Sequence, residues 1–218
     1  MAITRLRAKP LPFSLPLLLR HWLLLGGCAL LLVLLPAAND VRPTGLLLPL
    51  LPPLPKLQIG DLVFRQGLGQ DSALICALSE SAYSHVGMVV EVTPEVLVVH
   101  ATTDDDHSRP DQVIVSTLAA YVHQGRRLLI KRYPLTARQK HQVQQSLWAQ
   151  QGKPFMLTGK RDELYCSTLV SRVLAPFIEP RWPYSQVQMV GFSGEFLFPE
   201  TLVQDQRSQT VFAYPTEG

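Results

Sequence analysis

From about residue 60 onward the chain alternates between short β-branched runs and helically spaced apolar positions. Leu62-Val63-Phe64, after Gly60-Asp61, reads as a short strand, and a loop bearing Gly67 and Gly69 leads into a helix over 71–81 with Asp71 as its N-cap. His85 to Val92 and Val96 to Ala101 are β-branched runs joined by Thr93-Pro94-Glu95, the pattern of a β-hairpin. A strand near 113–115 precedes a short helix for which Ser116 is the candidate cap, and Leu128 to Tyr133 returns to strand. Thr136 and Gln139 form a capping box for a polar helix that ends at Gln151-Gly152. Leu169, Val170, Val173 and Leu174 then recur at helical spacing in a helix over 165–174, which Pro176 stops. Adjacent hairpin strands with separate helices indicate an α+β fold.

The first 56 residues follow other rules. Trp22 to Leu35 (WLLLGGCALLLVLL) carries no charge and is preceded by Arg5, Arg7, Lys9 and Arg20, the layout of a signal peptide or signal anchor. Counted to Ala38 the apolar stretch is 17 residues, the short edge of the roughly 17–25 that span a bilayer. The basic flank places the remainder outside the cytoplasm, on the periplasmic side in a Gram-negative bacterium. Pro36 and Leu35 are poor signal-peptidase residues, which favours an uncleaved anchor; Leu25-Gly26-Gly27-Cys28 also resembles a lipoprotein box, although apolar residues continue past Cys28. Residues 39–56 hold Pro43, Pro49, Pro52, Pro53 and Pro55 among leucines, an extended linker apolar enough to lie on the bilayer or pack against the domain. The expected organisation is therefore a membrane-directed segment at 1–38, a Pro/Leu-rich linker at 39–56 and one domain at 57–218.

Charge narrows the function. The chain has 20 basic and 17 acidic residues; four of the basic ones and none of the acids precede residue 39, so the body carries no excess positive charge. A nucleic-acid partner loses its main support. The cluster Arg126, Arg127, Lys131 and Arg132 is read as a solvated strand edge. No phosphate loop, dinucleotide fingerprint or repeat is visible, and no cofactor is implied.

Three cysteines cannot all pair, and each needs its own account. Cys28 lies in the apolar N-terminal stretch and Cys76, in Ala-Leu-Ile-Cys-Ala-Leu, reads as a small core residue. Cys166 begins a helix, where unpaired N–H groups and the positive dipole end lower a thiol pKa. Reflection of the hairpin about Thr93-Pro94 pairs His85 with position 102 and makes His100 its diagonal neighbour on one face, the arrangement of a base and the group that orients it. A metal site from His100, Asp104, Asp105, Asp106 and His107 competes, but a run of three Asp in a loop is more economically a solvated one, and no zinc spacing is present; no metal is expected.

Gly60-Asp61-Leu62-Val63-Phe64, Tyr83-Ser84-His85-Val86-Gly87, Val99-His100-Ala101 and Tyr165-Cys166-Ser167-Thr168-Leu169-Val170, with Gly152-Lys153-Pro154-Phe155 before the cysteine, resemble the successive blocks of the YiiX/YebB-like permuted papain-fold amidases, relatives of the NlpC-type cell-wall peptidases and of lecithin:retinol acyltransferase. The resemblance covers roughly Leu57 to Pro180. It implies a circularly permuted papain-like fold, an antiparallel sheet with the nucleophile at a helix N-terminus and histidine preceding cysteine along the chain. It implies Cys166 as nucleophile, His85 as general base and His100 as third polar residue, in a cysteine-dependent hydrolase of amide or ester bonds working through a thioacyl intermediate. Thr168 stands where many relatives have Glu, a change expected at the helix surface. Tyr83 and Tyr165 are candidates for a substrate-binding wall or a second oxyanion donor, with packing the plainer role. The substrate class stays open between a cell-envelope peptide, an acyl lipid and, without catalysis, a ligand held in the same cleft.

Overall fold

The computed structural model describes residues 51–179 and 181–215. Six strands form one antiparallel sheet: β1 (Leu62–Gly67), β2 (His85–Glu91), β3 (Leu97–Thr102), β4 (Gln112–Thr117), β5 (Gly125–Arg132) and β8 (Gln209–Tyr214), in spatial order β4-β3-β2-β1-β5-β8. Between them run α1 (Gln70–Ser79), α2 (Leu118–His123), α3 (Ala137–Trp148), α4 (Cys166–Leu174) and α5 (Pro199–Val203), with a separate hairpin of β6 (Ser185–Met189) and β7 (Phe192–Phe196). Strand periodicity of two divides the core. Leu62, Phe64, Val86, Met88 and Val99 face α3 and α4, while Val63, Val89, Val98, Leu128 and Ile130 face α2. Leu51 and Leu54 pack against the second face, so this end of the proline-rich segment lies on the domain. The expected anchor lies outside the described residues. Among the described residues no helix is long and apolar enough to cross a membrane.

Local chemistry explains most element boundaries and corrects three expectations. The Thr136–Gln139 capping box closes the start of α3 in both directions. The cap of α2 is Thr117, whose hydroxyl accepts the Ala120 N–H at 3.1 Å, and not Ser116, which is turned to another partner. The cap of α1 is Gly69, with Asp71 inside the first turn. The basic strand is not an edge, because β8 pairs with β5 on its outer side: Lys131 is buried and donates to the Val203 and Asp205 carbonyls, and Arg132 clasps the buried Asp61 carboxylate at 2.6 and 2.7 Å.

The hairpin register sets the site. Met88 opposes Val99 and Val89 opposes Val98, and continuing that ladder puts Gly87 beside His100. A Cβ at position 87 would lie 2.5 Å from Val98 Cγ1 and 3.2 Å from His100 Cβ, so glycine there lets the histidine-bearing strand close up. Beyond β4, the edge strand, residues 152–155 lie along its outer side: Val113 N–H donates to the Lys153 carbonyl and Gly152 N–H to the Val113 carbonyl, both at 2.9 Å.

Candidate active site

His85 opens β2 and His100 lies in β3, fully buried, on the sheet face that also carries the Tyr121 ring of α2. His85 Nε2 and His100 Nδ1 are 3.1 Å apart, and His100 Nε2 is 2.9 Å from Ser116 Oγ. The Tyr121 and His100 rings meet nearly perpendicular at a centroid distance of 4.9 Å, and the Tyr121 hydroxyl donates to the Val63 carbonyl. Arg65, opposite His85 in the β1–β2 ladder, completes the group. Its guanidinium lies over the Tyr121 ring, donates to the Tyr121 carbonyl at 2.7 Å and holds the Asp105 carboxylate at 2.5 Å. Asp105 in turn approaches His100 Nδ1 at 3.6 Å.

Cys166 is the first residue of α4 and is 7% exposed. Thr168 Oγ1 accepts the Tyr165 N–H at 2.8 Å and so closes the helix start; it is buried, which places the difference at 168 inside the helix cap and not on the surface. The preceding turn is pinned by the buried Glu163, whose carboxylate accepts the backbone N–H groups of Thr158 and Gly159. Cys166, His85, Arg65 and Asp105 all line one cleft of about 430 Å³.

The electrostatics of this cleft favour neutral groups. Burial, followed by the Arg65 cation, holds His85 well below its ordinary value of 6.5, and burial together with His85 and Arg65 does the same to His100. Burial pushes the Cys166 thiol up despite the opposing pull of Ser167, the Val86 N–H and Arg65. The helix start alone would have lowered it; desolvation wins. The resting pair is thus a thiol beside neutral imidazoles.

Sequence reasoning named Cys166, His85 and His100, of which Cys166 and His85 line the cleft and His100 lies buried behind His85; it offered Asp105 only as a metal ligand and missed Arg65 and Ser116. The sequence offers Ser116 as a helix cap, and Arg65 directly follows the Gly60–Phe64 block without belonging to it; its cross-strand position opposite His85 is the available signal. Tyr165 lines the cleft, but its hydroxyl accepts the Leu197 N–H at 2.7 Å and holds the segment after β7. Tyr83 lies in the core with its ring against Phe64, away from the cleft lining. Cys76 is half-buried on α1, not a core residue. Of the candidate metal ligands only Asp105 joins the histidines; Asp104 and His107 are exposed, and Asp106 is engaged by Ser108 and Arg109, which lower its carboxyl to about 2. Donor atoms of His85, His100 and Asp105 do lie within 4.8 Å of one another. Arg65 already sets a positive charge on Asp105, so the group suits a hydrogen-bonded relay better than a cation.

The family model described as "permuted papain-like amidase enzyme, YaeF/YiiX, C92 family" matches residues 56–191. The chain belongs to this family. The YaeF/YiiX assignment makes it a cysteine-type hydrolase of amide bonds with a permuted papain-like α+β fold. Among solved structures it is similar to the crystal structure of the metalloprotein YiiX from Escherichia coli O157:H7, with a TM-score of 0.61, 20% identity, and coverage of 72% of this chain and 97% of that one. No curated protein matches in sequence.

Proposed function

We propose that Cys166 is the nucleophile, His85 the general base and His100 the residue that orients His85, in a catalytic region spanning 57–218. The single observation behind this reading is the chain Ser116–His100–His85, joined at 2.9 and 3.1 Å, opening onto the cleft that Cys166 lines. With Nε2–H of His100 donated to Ser116 Oγ and Nε2–H of His85 donated to His100 Nδ1, Nδ1 of His85 is free to accept a proton. His85 takes the Cys166 proton as sulfur attacks the amide carbonyl. The tetrahedral oxyanion collapses as His85 returns the proton to the leaving amine, leaving a thioacyl enzyme. Water, deprotonated by His85, then attacks the thioester and releases a carboxylic acid and the Cys166 thiol. Backbone N–H groups at the start of α4 serve the oxyanion. Because thiol and imidazole rest neutral, the proton moves only during attack.

In this reading the protein is held to a membrane by residues 1–38, with the domain outside the cytoplasm, and its substrate is a cell-envelope amide such as a peptidoglycan peptide. Incubating the protein with peptidoglycan fragments and with acyl lipids, against a Cys166→Ala control, tests the substrate; no Cys166-dependent cleavage of either rejects the reading. Activity that persists in a chelator rejects a metal on His85, His100 and Asp105. Retention on membranes through a high-salt wash tests the anchor, since apolar burial at about 25 cal/mol per Å² outweighs screened charge. Recovery of a soluble, unlipidated form beginning near Asn39 rejects it.

A further inference from the structure

The distances along Ser116–His100–His85 fit two proton arrangements equally well. In one, His100 donates its Nε2–H to Ser116 Oγ and accepts from His85 Nε2, which leaves His85 Nδ1 as the base. In the other, Ser116 donates to His100 Nε2, His100 Nδ1–H donates to His85 Nε2, and His85 carries its proton on Nδ1 with no lone pair left for the thiol. Only the first is productive. Asp105 favours the second, because its Oδ2 lies 3.6 Å from His100 Nδ1, and a carboxylate oxygen attracts an N–H there and repels a lone pair.

The charges that bear on the two histidines are Arg65 of β1 and, from the loop between β3 and β4, Asp105 and Arg109. Tyr121 of α2 packs against both rings and Cys166 of α4 shares the cleft, both as neutral groups. Arg109 is turned to Asp106 at 2.7 Å. Arg65 instead donates from Nη2, at 2.5 Å, to Oδ2 of Asp105, the same oxygen that faces His100. Of these two opposite charges, Arg65 acts on the His100 ring more strongly than Asp105. The position is shaped for this side chain. Arg65 is 4% exposed, and Gly125 leaves room for its stem, since a Cβ at 125 would stand 3.1 Å from Arg65 Cβ and 3.4 Å from its Cδ. Its Nε is buried without a partner, a cost to stability that a purely structural role does not explain.

We propose that Arg65 is a positioning residue: by occupying the Asp105 oxygen it keeps the His100 proton on Nε2 and so fixes the direction in which the relay works. This rests on the assignment of His85 as the base for Cys166. Without the guanidinium, Oδ2 draws an N–H onto His100 Nδ1. Each imidazole proton then moves to the other nitrogen of its ring by exchange with solvent, the Ser116 hydroxyl turns to donate, and His85 no longer offers a lone pair to the thiol.

The test uses the full chain in detergent micelles with iodoacetamide, where the Cys166 sulfur displaces iodide and His85 takes the thiol proton. Mass spectrometry reads Cys166 and Cys76 labelling in one molecule. Arg65→Met is expected to slow Cys166 relative to Cys76 by about tenfold or more, Arg65→Lys by less, and the double variant Arg65→Met/Asp105→Ala is expected to recover most of the loss. Arg65→Gln, which keeps a donor without the charge, makes the same comparison if Arg65→Met does not fold. Nitrogen-15 NMR of histidine-labelled protein reads the tautomer: the His100 proton is expected on Nε2 in the wild type and on Nδ1 in Arg65→Met, the signal being assigned by its loss in His100→Gln. A double variant as slow as Arg65→Met, or a His100 proton that stays on Nε2 without Arg65, overturns the inference and leaves the cysteine–histidine reading standing. If His85→Ala labels at the wild-type ratio, the base assignment fails, and the NMR comparison alone then decides for or against the role of Arg65.

Discussion

Two buried polar clusters sit on this fold, and they treat charge in opposite ways. Around Asp205, between α5 and β8, one carboxylate accepts from Tyr133 Oη at 2.7 Å, Trp182 Nε1 at 2.7 Å and the Arg207 guanidinium at 2.6 Å. Burial alone would raise its pKa, yet these donors hold it well below the usual carboxylate range. Around His85 and His100 burial prevails: the imidazoles stay neutral, the thiol stays protonated, and Arg65 keeps one buried nitrogen, Nε, without a partner. A cluster whose charges are fully met ties segments together. Imidazoles and a thiol held neutral beside an ion pair, with a lone pair to spare, are poised to move protons.

Substitutions should separate the two by what they damage. The largest effect on rate is expected from Cys166→Ala and His85→Ala, each lowering amide hydrolysis by about 10³-fold or more at unchanged melting temperature, while Cys76→Ala stays near wild type. Equal loss from Cys76→Ala at unchanged stability would overturn the assignment. Asp205→Ala should do the reverse. Stranding the buried Trp182 and Tyr133 donors costs roughly 2–4 kcal/mol and lowers the melting temperature by roughly 5–15 °C, with turnover per folded molecule preserved.

The intermediate case is His100→Ala, expected to reduce kcat by about 10- to 100-fold, less than loss of His85, with partial rescue by Gln or Glu. A His100→Ala enzyme that matched wild type across the pH range would move the orienting role elsewhere, with Asp105, the carboxylate of the run that approaches the histidines, next to test. Ser116→Ala should follow with a loss of only about two- to tenfold, because it removes one hydrogen bond from the far end of the relay.

Acid should sharpen the contrast through stability. The histidines have folded pKa values below 6.5, so as pH falls below about 6.5 the unfolded chain binds protons that the folded chain refuses, and stability declines from there down through the lowered values. Asp205, with its folded pKa below the ordinary 3.8, contributes stability above about pH 4 that is lost only in stronger acid. Melting temperature against pH should therefore fall in two limbs. His100→Gln should flatten the upper limb and Asp205→Asn the lower one; a single limb insensitive to His100→Gln would show that these imidazoles are not held neutral by the fold.

The hairpin that carries both histidines was legible because a two-residue period and one turn fix its register, and no distant residue can change which face His85 and His100 share. Cys166 was legible for a similar local reason, as the first residue of a helix with a clear apolar stripe. What escaped is non-local. The pairing of Arg65 with Asp105 joins residues 40 apart in sequence, and β8 completes the sheet from a C-terminal stretch, QTVFAY, whose partner β5 lies about 80 residues earlier. The basic residues of β5 looked like an edge because their cover comes from that distant strand. The thiol pKa was misjudged because a helix-end argument sees a dipole but not the burial around it.

The loop at 152–155 has a consequence for self-association. A sheet bordered by β4 would offer a row of unpaired backbone groups to the same strand of a second molecule. Here the Val113 N–H and carbonyl are already occupied by Lys153 and Gly152, and Phe155 N–H donates to the Asp111 carbonyl at 2.8 Å. Pro154, bridged to Gln112, brings no N–H of its own to the edge. The segment that links α3 to the cysteine-bearing helix thereby blunts the start of the β4 edge against strand-to-strand pairing, and its deletion would expose a sticky border on β4, the strand that supplies Ser116.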